Sequence, residues 1–228
     1  MTALKLITVL LAEDHAIVRQ GLSALLNAAG QFKIVGQARD GREAVELAAA
    51  LKPHVILMDI AMPVLNGLEA TRQILAANPS AKVLILSAHS DDEYLERMNE
   101  AGAAGFLEKQ TSAEILAQAI CEVAKGNTFY SPAIAKRLPT AMGKPRGRDG
   151  LPKAHSTRLT PREAEVLQLV AEGSANKQVA SALGISIKTV EKHRQHLMDK
   201  LNIHDTAGLT RYAISAGVIE SSVRLTII

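Results

Sequence analysis

His54-Val55-Ile56-Leu57-Met58-Asp59 is a short segment in which a run of apolar residues ends on a carboxylate. Three other runs in the first half of the chain have the same form and precede polar residues: Ile7–Ala12 before Glu13 and Asp14, Lys82–Leu86 before Ser87, and Gly105–Glu108 before Lys109. Runs of this length, separated by helix-like stretches, are typical of buried parallel strands. Because an open parallel sheet binds its ligands beyond the carboxyl ends of its strands, we expect these polar side chains to converge.

Strands and helices alternate five times over this half of the chain. Apolar residues at helical spacing begin near five positions, which are Ala16, Gly41, Leu65, Asp91 and Ser112. This alternation predicts an α/β domain with a doubly wound parallel sheet of the flavodoxin-like (βα)5 type. The near-continuous apolar strands agree with a sheet that is covered by helices on both faces.

The charge of the chain is uneven along its length. Residues 1–127 carry 11 Lys or Arg against 15 Asp or Glu, whereas residues 128–228 carry 15 against 8. The net charge of +7 makes the second half a candidate for binding nucleic acid. The single cysteine, Cys121, excludes an internal disulfide, and the apolar run near Met1 is too short for a signal peptide or a membrane span. We therefore expect a cytoplasmic protein without a membrane segment.

The residues at the predicted strand ends form a set that suits phosphoryl transfer. Asp14 and Asp59 fit as direct ligands of Mg²⁺, and Glu13 can reach the ion through water or one oxygen. Asp59 is also the candidate nucleophile, because a carboxylate can form an aspartyl phosphate. Ser87 can donate a hydrogen bond to a phosphoryl oxygen, and Lys109 can neutralise its charge. Each residue alone is equally explained as a helix cap or a solvated side chain, but four successive strand ends favour a common site.

This pattern, spread over residues 5–125, resembles the receiver domain of bacterial two-component response regulators. The resemblance implies that a partner histidine kinase phosphorylates Asp59. It implies that Mg²⁺ is held by four groups, the side chains of Glu13, Asp14 and Asp59 and the backbone carbonyl of Ala61. It also implies that Ser87 and Phe106 form the switch. Because Phe106 stands where many receivers carry tyrosine, we expect the switch to use burial of the ring rather than a phenolic hydrogen bond.

Periodicity fades after this domain, and a stretch rich in Pro, Gly and positive charge predicts a flexible basic linker over residues 126–156. Helical order resumes with Thr160, an N-cap that forms a capping box with Glu163. Pro161 suits the first helical position, and the helix is expected to run from Ala164 to Glu172. Three further helices are expected, at Asn176–Leu183, from Ile187 to about Leu201, and from Asp205 to about Val218. The first two of these, joined by a tight turn that contains Gly184, form a helix-turn-helix pattern.

The helix that begins at Ile187 carries the candidate recognition surface. Its expected inner stripe consists of Ile187, Val190, Leu197 and Leu201, and its opposite face consists of Lys188, Glu191, Lys192 and Gln195. Such a face suits the reading of base edges in the major groove. Three other side chains are better placed for phosphates, namely Lys177, Thr189 and Arg194. A solvated charged helix is the alternative for the stripe alone, but the helix-turn-helix pattern and the charge favour DNA.

Residues 157–219, in a domain that we place at residues 157–222, resemble the DNA-binding domain of LuxR-type regulators. The resemblance is carried by three stretches, Leu159–Glu163, Asn176–Ala180 and Ile185–His193. Together the two domains resemble the NarL/FixJ class of response regulators. This resemblance implies a transcription regulator that binds promoter DNA, with the last helix, Asp205 to Val218, pairing two copies.

Two other functions are compatible with parts of the pattern. One is an enzyme that turns over an aspartyl phosphate, such as a hydrolase, but such enzymes commonly need a second acid two residues after the nucleophile, where this chain has Ala61. The other is a binding module whose receiver is never phosphorylated and serves only for dimerisation or ligand sensing. The complete acceptor set argues against it. We therefore expect a regulator that is not an enzyme.

Overall fold

The computed structural model describes residues 6–88, 92–131, 134–135 and 159–219. The chain divides into two compact units, with the division between Gly150 and Leu151. Most of the expected basic linker, and the tail beyond residue 219, lie outside the described residues. Among the helices that are described, none is long and apolar enough to cross a membrane.

The first unit is built on a six-stranded parallel sheet with the order β2-β1-β3-β4-β5-β6. Its strands are β1 (Ile7–Ala12), β2 (Phe32–Ala38), β3 (Val55–Asp59), β4 (Val83–Ser87), β5 (Gly105–Glu108) and β6 (Phe129–Tyr130). Every residue of β3 and of β4 is buried, as expected for strands covered on both faces. The order of the first five strands confirms the flavodoxin-like prediction.

Five helices cover the two faces of the sheet: α1 (Ala16–Ala28), α2 (Gly41–Leu51), α3 (Gly67–Ala77), α4 (Asp92–Ala101) and α5 (Ala113–Lys125). Apolar residues of α2, α3 and α4 pack in one core, and those of α1 and α5 pack in the other. The helix expected near Leu65 begins two residues later, because the Asn66 side chain accepts a hydrogen bond from the Glu69 N–H and caps it.

The sixth strand was not predicted from the sequence. Phe129 and Tyr130 pair with Gly105 and Phe106 of β5, and Ile134 is fully buried in the core on the α2–α4 face. The sheet and core of the first unit therefore extend beyond residue 125, where we expected the linker to begin. A strand of two residues is too short to show an alternating pattern in the sequence.

The second unit contains four described helices: α6 (Pro161–Ala171), α7 (Asn176–Leu183), α8 (Ile187–Leu201) and α9 (Thr206–Ser215). The predicted capping box between Thr160 and Glu163 is present, and Pro161 is the first residue of α6, as expected. Gly184, with φ of 62°, ends α7 in the left-handed region. The last helix is shorter than expected, because Asp205 lies outside it as the N-cap and accepts a hydrogen bond from the Gly208 N–H.

Candidate phosphoryl-acceptor site and nucleic-acid interface

The polar residues at the ends of β1, β3 and β5 meet at one edge of the sheet, as predicted. Glu13 and Asp59 are only 2% and 3% exposed. The Nζ of Lys109 lies 2.8 Å from Oε2 of Glu13 and 2.8 Å from Oδ2 of Asp59. Two buried carboxylates therefore share one ammonium group, so this edge of the sheet already accommodates a cation.

Burial and neighbouring charges act in opposite directions on the acceptor carboxylate. The pKa of Asp59 is raised above 3.8, chiefly because burial disfavours its charged form and also because Glu13 repels it. Lys109 and the Ile60 N–H, which donates to Oδ1 at 2.8 Å, oppose this rise. For Lys109, burial alone would lower the pKa, but the two carboxylates outweigh it and the pKa lies above 10.5.

The loop after Asp59 is held tightly against the end of β3. The Gly67 N–H donates to the Ile60 carbonyl at 2.9 Å, and a Cβ on Gly67 would lie 1.8 Å from the Asp59 carbonyl oxygen. Val64 has φ of 68°, which a β-branched residue adopts only where its surroundings impose it. Ala61, whose carbonyl is an expected metal ligand, lies half-buried in this loop. The loop therefore fixes the backbone on both sides of the acceptor.

The two expected switch residues lie on the strands that follow. Ser87, 3% exposed, ends β4, and its carbonyl accepts a hydrogen bond from the Lys109 N–H at 2.8 Å. Phe106 is 1% exposed and stands beside Tyr130 of β6 in the register of the sheet. The ring is thus buried in this structure, and its role in a switch stays a prediction.

His15 is a residue of this site that the sequence analysis missed. Its Nδ1 lies 2.7 Å from Oδ1 of Asp14 and 3.1 Å from Oε1 of Glu13. One ligand atom from each of four residues, Glu13, Asp14, His15 and Asp59, lies within 4.8 Å of the others. The acidic part of this cluster offers oxygen donors, which fit a hard divalent cation. The adjacency of His15 to two acids at a strand end was the signal available in the sequence.

The predicted base-reading face of α8 is open to solvent. Its four residues, Lys188, Glu191, Lys192 and Gln195, are all exposed, and Val190 and Leu197 on the opposite face are fully buried. Lys177 is also exposed, on the first turn of α7. Ile187 is 45% exposed, which corrects its assignment to the inner stripe. Ile187 is the first residue of α8 and lies outside the core.

Two of the three residues expected to contact phosphates are engaged within the unit itself. Arg194 donates from Nη1 to Oδ1 of Asn176 at 2.9 Å and from Nη2 to Oγ1 of Thr206 at 3.0 Å. It therefore connects α8 to the first residues of α7 and α9. The Thr189 hydroxyl lies 2.8 Å from that of Ser186, the N-cap of α8. Lys200 of α8 adds a further connection, because its Nζ lies 2.8 Å from Oε2 of Glu163.

Comparison with known families and proteins agrees with the division of the chain into two units. Residues 9–121 match the family described as "Response regulator receiver domain", and residues 157–213 match "Bacterial regulatory proteins, luxR family". The transcriptional regulatory protein DegU of Brevibacillus brevis is 34% identical to this chain, over 94% of the chain and 95% of its own length. The transcriptional regulatory protein LiaR of Bacillus subtilis (strain 168) is 38% identical, over 91% and 97% respectively.

The solved structures that are similar to this chain include response regulators. The RcsB response regulator of Salmonella typhimurium is similar to this chain with a TM-score of 0.56 and 26% identity, over 92% of this chain and 99% of its own. A complex of RcsB with DNA has the same TM-score and identity. The chain therefore belongs to the NarL/FixJ-class response regulators, DNA-binding transcription regulators in which a receiver domain precedes a LuxR-type helix-turn-helix domain.

Proposed function

We propose that Asp59 of this regulator accepts a phosphoryl group from a partner histidine kinase, and that the modification promotes pairing of two copies and binding to promoter DNA. The observation that carries the proposal is the buried pair of carboxylates, Glu13 and Asp59, bridged by Lys109 at the carboxyl end of the sheet. Two transcriptional regulatory proteins, DegU and LiaR, are similar to this chain over nearly their whole length, which supports the same output for this chain.

The acidic cluster suits Mg²⁺ as the cofactor of this step. Glu13, Asp14 and Asp59 would hold the ion together with the carbonyl of Ala61, since Mg²⁺ favours oxygen ligands and retains water at its other positions. When bound, it supplies positive charge beside the incoming phosphoryl oxygens. The ammonium group that already lies between Glu13 and Asp59 supports this fit, because it occupies a place suited to a cation.

Asp59 acts as the nucleophile. One of its carboxylate oxygens bonds to phosphorus while the bond between phosphorus and the donor atom breaks. The Ile60 N–H holds Oδ1, so Oδ2, which faces Lys109, is the oxygen placed to attack. Lys109 then transfers its contact from Asp59 to a phosphoryl oxygen, and the Ser87 hydroxyl donates to another. Ala61 leaves no second acid two residues beyond Asp59, so the chain is a stoichiometric acceptor rather than an enzyme.

The output is DNA binding by α8. Its exposed side chains, Lys188, Glu191, Lys192 and Gln195, read bases in the major groove, while Lys177, Thr189 and Arg194 contact phosphates. The last helix, with its N-cap at Asp205 and the following residues to Val218, pairs two copies on adjacent half-sites. Arg194 makes two hydrogen bonds within the unit, so it also positions α8 against α7 and α9.

The test combines labelling with assembly and DNA binding. The full chain is treated with a small-molecule phosphodonor and Mg²⁺, and intact mass, sedimentation and binding to genomic DNA fragments are measured. Asp59→Asn is the test variant, and Asp40→Asn is the matched control, because Asp40 caps α2 and asparagine caps a helix equally well. We expect labelling, pairing and tighter DNA binding in the wild type and in Asp40→Asn only.

Two results would contradict the proposal in different ways. Equal labelling of Asp59→Asn and wild type would show that another residue is the acceptor. Labelling confined to Asp59, with pairing and DNA affinity unchanged by the donor, would favour the binding-module alternative, in which the receiver serves only as a platform.

A further inference from the structure

We infer that Asp199 is a specificity-determining residue of the DNA-binding unit, because it holds the side-chain amide of Gln195 in an orientation that selects adenine. The Nε2 of Gln195 donates a hydrogen bond to Oδ1 of Asp199 at 2.8 Å. The inference rests on the proposed function, since it takes Gln195 as a base-reading residue of α8. It adds the base that this residue selects and the neighbour that fixes the selection.

Asp199 lies on the same face of α8 as the four proposed base-reading residues. A helix places residues that are three or four positions apart on one face, and Asp199 follows Gln195 by four positions. Both residues are exposed, whereas Leu197 between them is fully buried on the opposite face. The face proposed to enter the major groove therefore carries a carboxylate in contact with Gln195.

The negative charge of Asp199 opposes the electrostatic attraction between this face and DNA. The exposed lysines of the face, Lys188 and Lys192, attract the phosphate backbone, whereas a carboxylate beside them is repelled by it on every DNA sequence. A hydrogen bond between glutamine and aspartate four positions apart contributes little to the stability of a helix. Orientation of the Gln195 amide is therefore the role of Asp199 that the geometry supports.

The orientation of the Gln195 amide follows from the chemistry of its partner. A carboxylate accepts hydrogen bonds and donates none, so the amide has to turn its NH₂ group toward Asp199. One of the two N–H groups is then engaged, and the carbonyl oxygen Oε1 and the second N–H are left for a base. Gln195 thus offers one acceptor and one donor to the groove rather than two donors.

One acceptor beside one donor matches the edge of adenine in the major groove. Adenine presents its N6 amino group, which donates, beside N7, which accepts, and a glutamine amide pairs with both. Guanine presents two acceptors, O6 and N7, and an amide that binds both has to use both of its N–H groups. Because Asp199 engages one of these groups, Gln195 selects adenine and disfavours guanine.

The experiment measures the base preference of the full chain at the position that Gln195 contacts. Binding sequences are selected from a randomised DNA pool, and the position whose preference disappears in Gln195→Ala is assigned to this residue. Affinities are then measured with adenine or guanine at that position, and with two analogues: purine, which lacks the N6 amino group, and 7-deazaadenine, which lacks N7. We expect the wild type to prefer adenine over guanine by about 10-fold, and each analogue to remove most of that preference.

Asp199→Ala is the test variant, and Glu172→Ala is the matched control. Glu172, the exposed C-cap residue of α6, accepts a hydrogen bond from the Gln168 amide at 2.8 Å, so it forms the same kind of pair away from α8. Each variant removes one negative charge from the unit and should slightly raise the affinity for all DNA sequences. Only Asp199→Ala should lower the preference for adenine over guanine, to below about threefold, because its amide can again offer two donors.

Equal preference for adenine in the wild type and in Asp199→Ala overturns the inference and leaves the pair a helix-stabilising contact. Selection of guanine by the wild type at the assigned position overturns it as well. If the wild type selects a DNA sequence and Gln195→Ala selects the same one, Gln195 reads no base, and only this inference and that assignment fail. If the wild type shows no sequence preference with or without the phosphodonor, the proposed function itself fails.

Discussion

Lys109 lies between two buried carboxylates, so its removal should lower the stability of the chain. Lys109→Ala leaves Glu13 and Asp59 beside each other with no counter-charge from this side chain. We expect a loss of about 2 kcal/mol in the free energy of unfolding at neutral pH. This is less than the loss caused by breaking a fully buried ion pair, because Lys109 is partly exposed. Mg²⁺ should restore part of it, since the ion replaces the missing cation. Thermal unfolding with and without Mg²⁺ measures both effects.

Lys125→Ala is the control for this prediction, because Lys125 forms an exposed ion pair with Glu122 on α5. Removal of an exposed pair should change stability by less than about 0.5 kcal/mol, and Mg²⁺ should not affect the difference. Equal losses in the two variants would mean that Lys109 does not compensate the buried carboxylates.

Asp59 gives a pH-dependent prediction from the same site. Because its pKa is raised by burial, the folded chain binds this proton more tightly than the unfolded chain does. The contribution of Asp59 to stability is therefore present below 3.8 and is lost as pH rises through the raised folded pKa. Without divalent metal, the Tm of Asp59→Asn should thus rise relative to that of wild type over the pH range above 3.8. A difference that is constant or shrinks over this range would contradict the assignment.

At the level of single residues, the sequence predicted which side chains form the acceptor site better than it predicted their arrangement. Asp59 and Lys109 were predictable because each ends a recognisable strand, and parallel strands bring their ends together. His15 was missed because one histidine after two acids belongs to no periodic pattern. The pairing of β5 with β6 at Phe106 was not predictable either, because β6 has only two residues and lies more than twenty residues later in the chain.

The junction between β3 and α3 depends on the absence of a side chain at Gly67. A Cβ there would lie 1.8 Å from the Asp59 carbonyl oxygen, which is backbone and cannot rotate away. Gly67→Ala should therefore displace α3 from the acceptor and cost about 3 kcal/mol or more, with reduced phosphoryl labelling. Calorimetry of the full chain and labelling by the phosphodonor measure the two effects.

Gly21→Ala is the matched control, because Gly21 lies on an exposed part of α1 where a new Cβ meets nothing within 4 Å. Inside a helix this change should stabilise the chain by about 0.5–1 kcal/mol and leave labelling intact. If Gly67→Ala were as well tolerated as Gly21→Ala, the close contact at Asp59 would have no structural consequence.

Arg194 connects three helices of the DNA-binding unit through Asn176 and Thr206. Arg194→Ala should lower the free energy of unfolding by about 1–2 kcal/mol, because two hydrogen bonds from a charged donor are lost. It should also weaken binding to specific and non-specific DNA alike, since α8 loses its fixed position. Gln195→Ala, at the exposed neighbour, should keep stability and change only sequence preference. Unchanged stability in Arg194→Ala would leave the phosphate contact as its main role.

Helices and strands were predictable where they are long and regular, and less so at their ends. The capping box at Thr160 and the place of Pro161 at the first helical position were recognised from residue type, although apolar periodicity begins only at Ala164. The start of α7 in the second unit was not predicted in this detail. Ala175 offers no side-chain cap to α7, but the Gln178 side chain still accepts from the Ala175 N–H at 2.7 Å.

For the whole chain, composition alone separated the two units before any element was assigned. The first half, with a net charge of −4, contains the receiver match at residues 9–121, and the second half, with a net charge of +7, contains the LuxR-family match at residues 157–213. This separation was predictable because charge and periodicity change together along the sequence. The exact end of the first unit was not, because β6 adds only two residues to the sheet.

The second unit should bind DNA with a strong salt dependence. That dependence should distinguish a lysine that contacts phosphates, Lys177, from one that contacts bases, Lys188. A regulator with several phosphate contacts loses roughly 10³- to 10⁵-fold in affinity between about 50 and 200 mM salt. Lys177→Ala removes a proposed phosphate contact, so affinity should fall on every DNA sequence and the log–log slope should lessen by about 0.9 per protomer. Lys188→Ala removes a proposed base contact, so it should chiefly relax the preference for the operator, by about 1–3 kcal/mol. Identical changes in slope and in preference for both variants would mean that α8 does not read bases through this face, and that it binds DNA through charge alone.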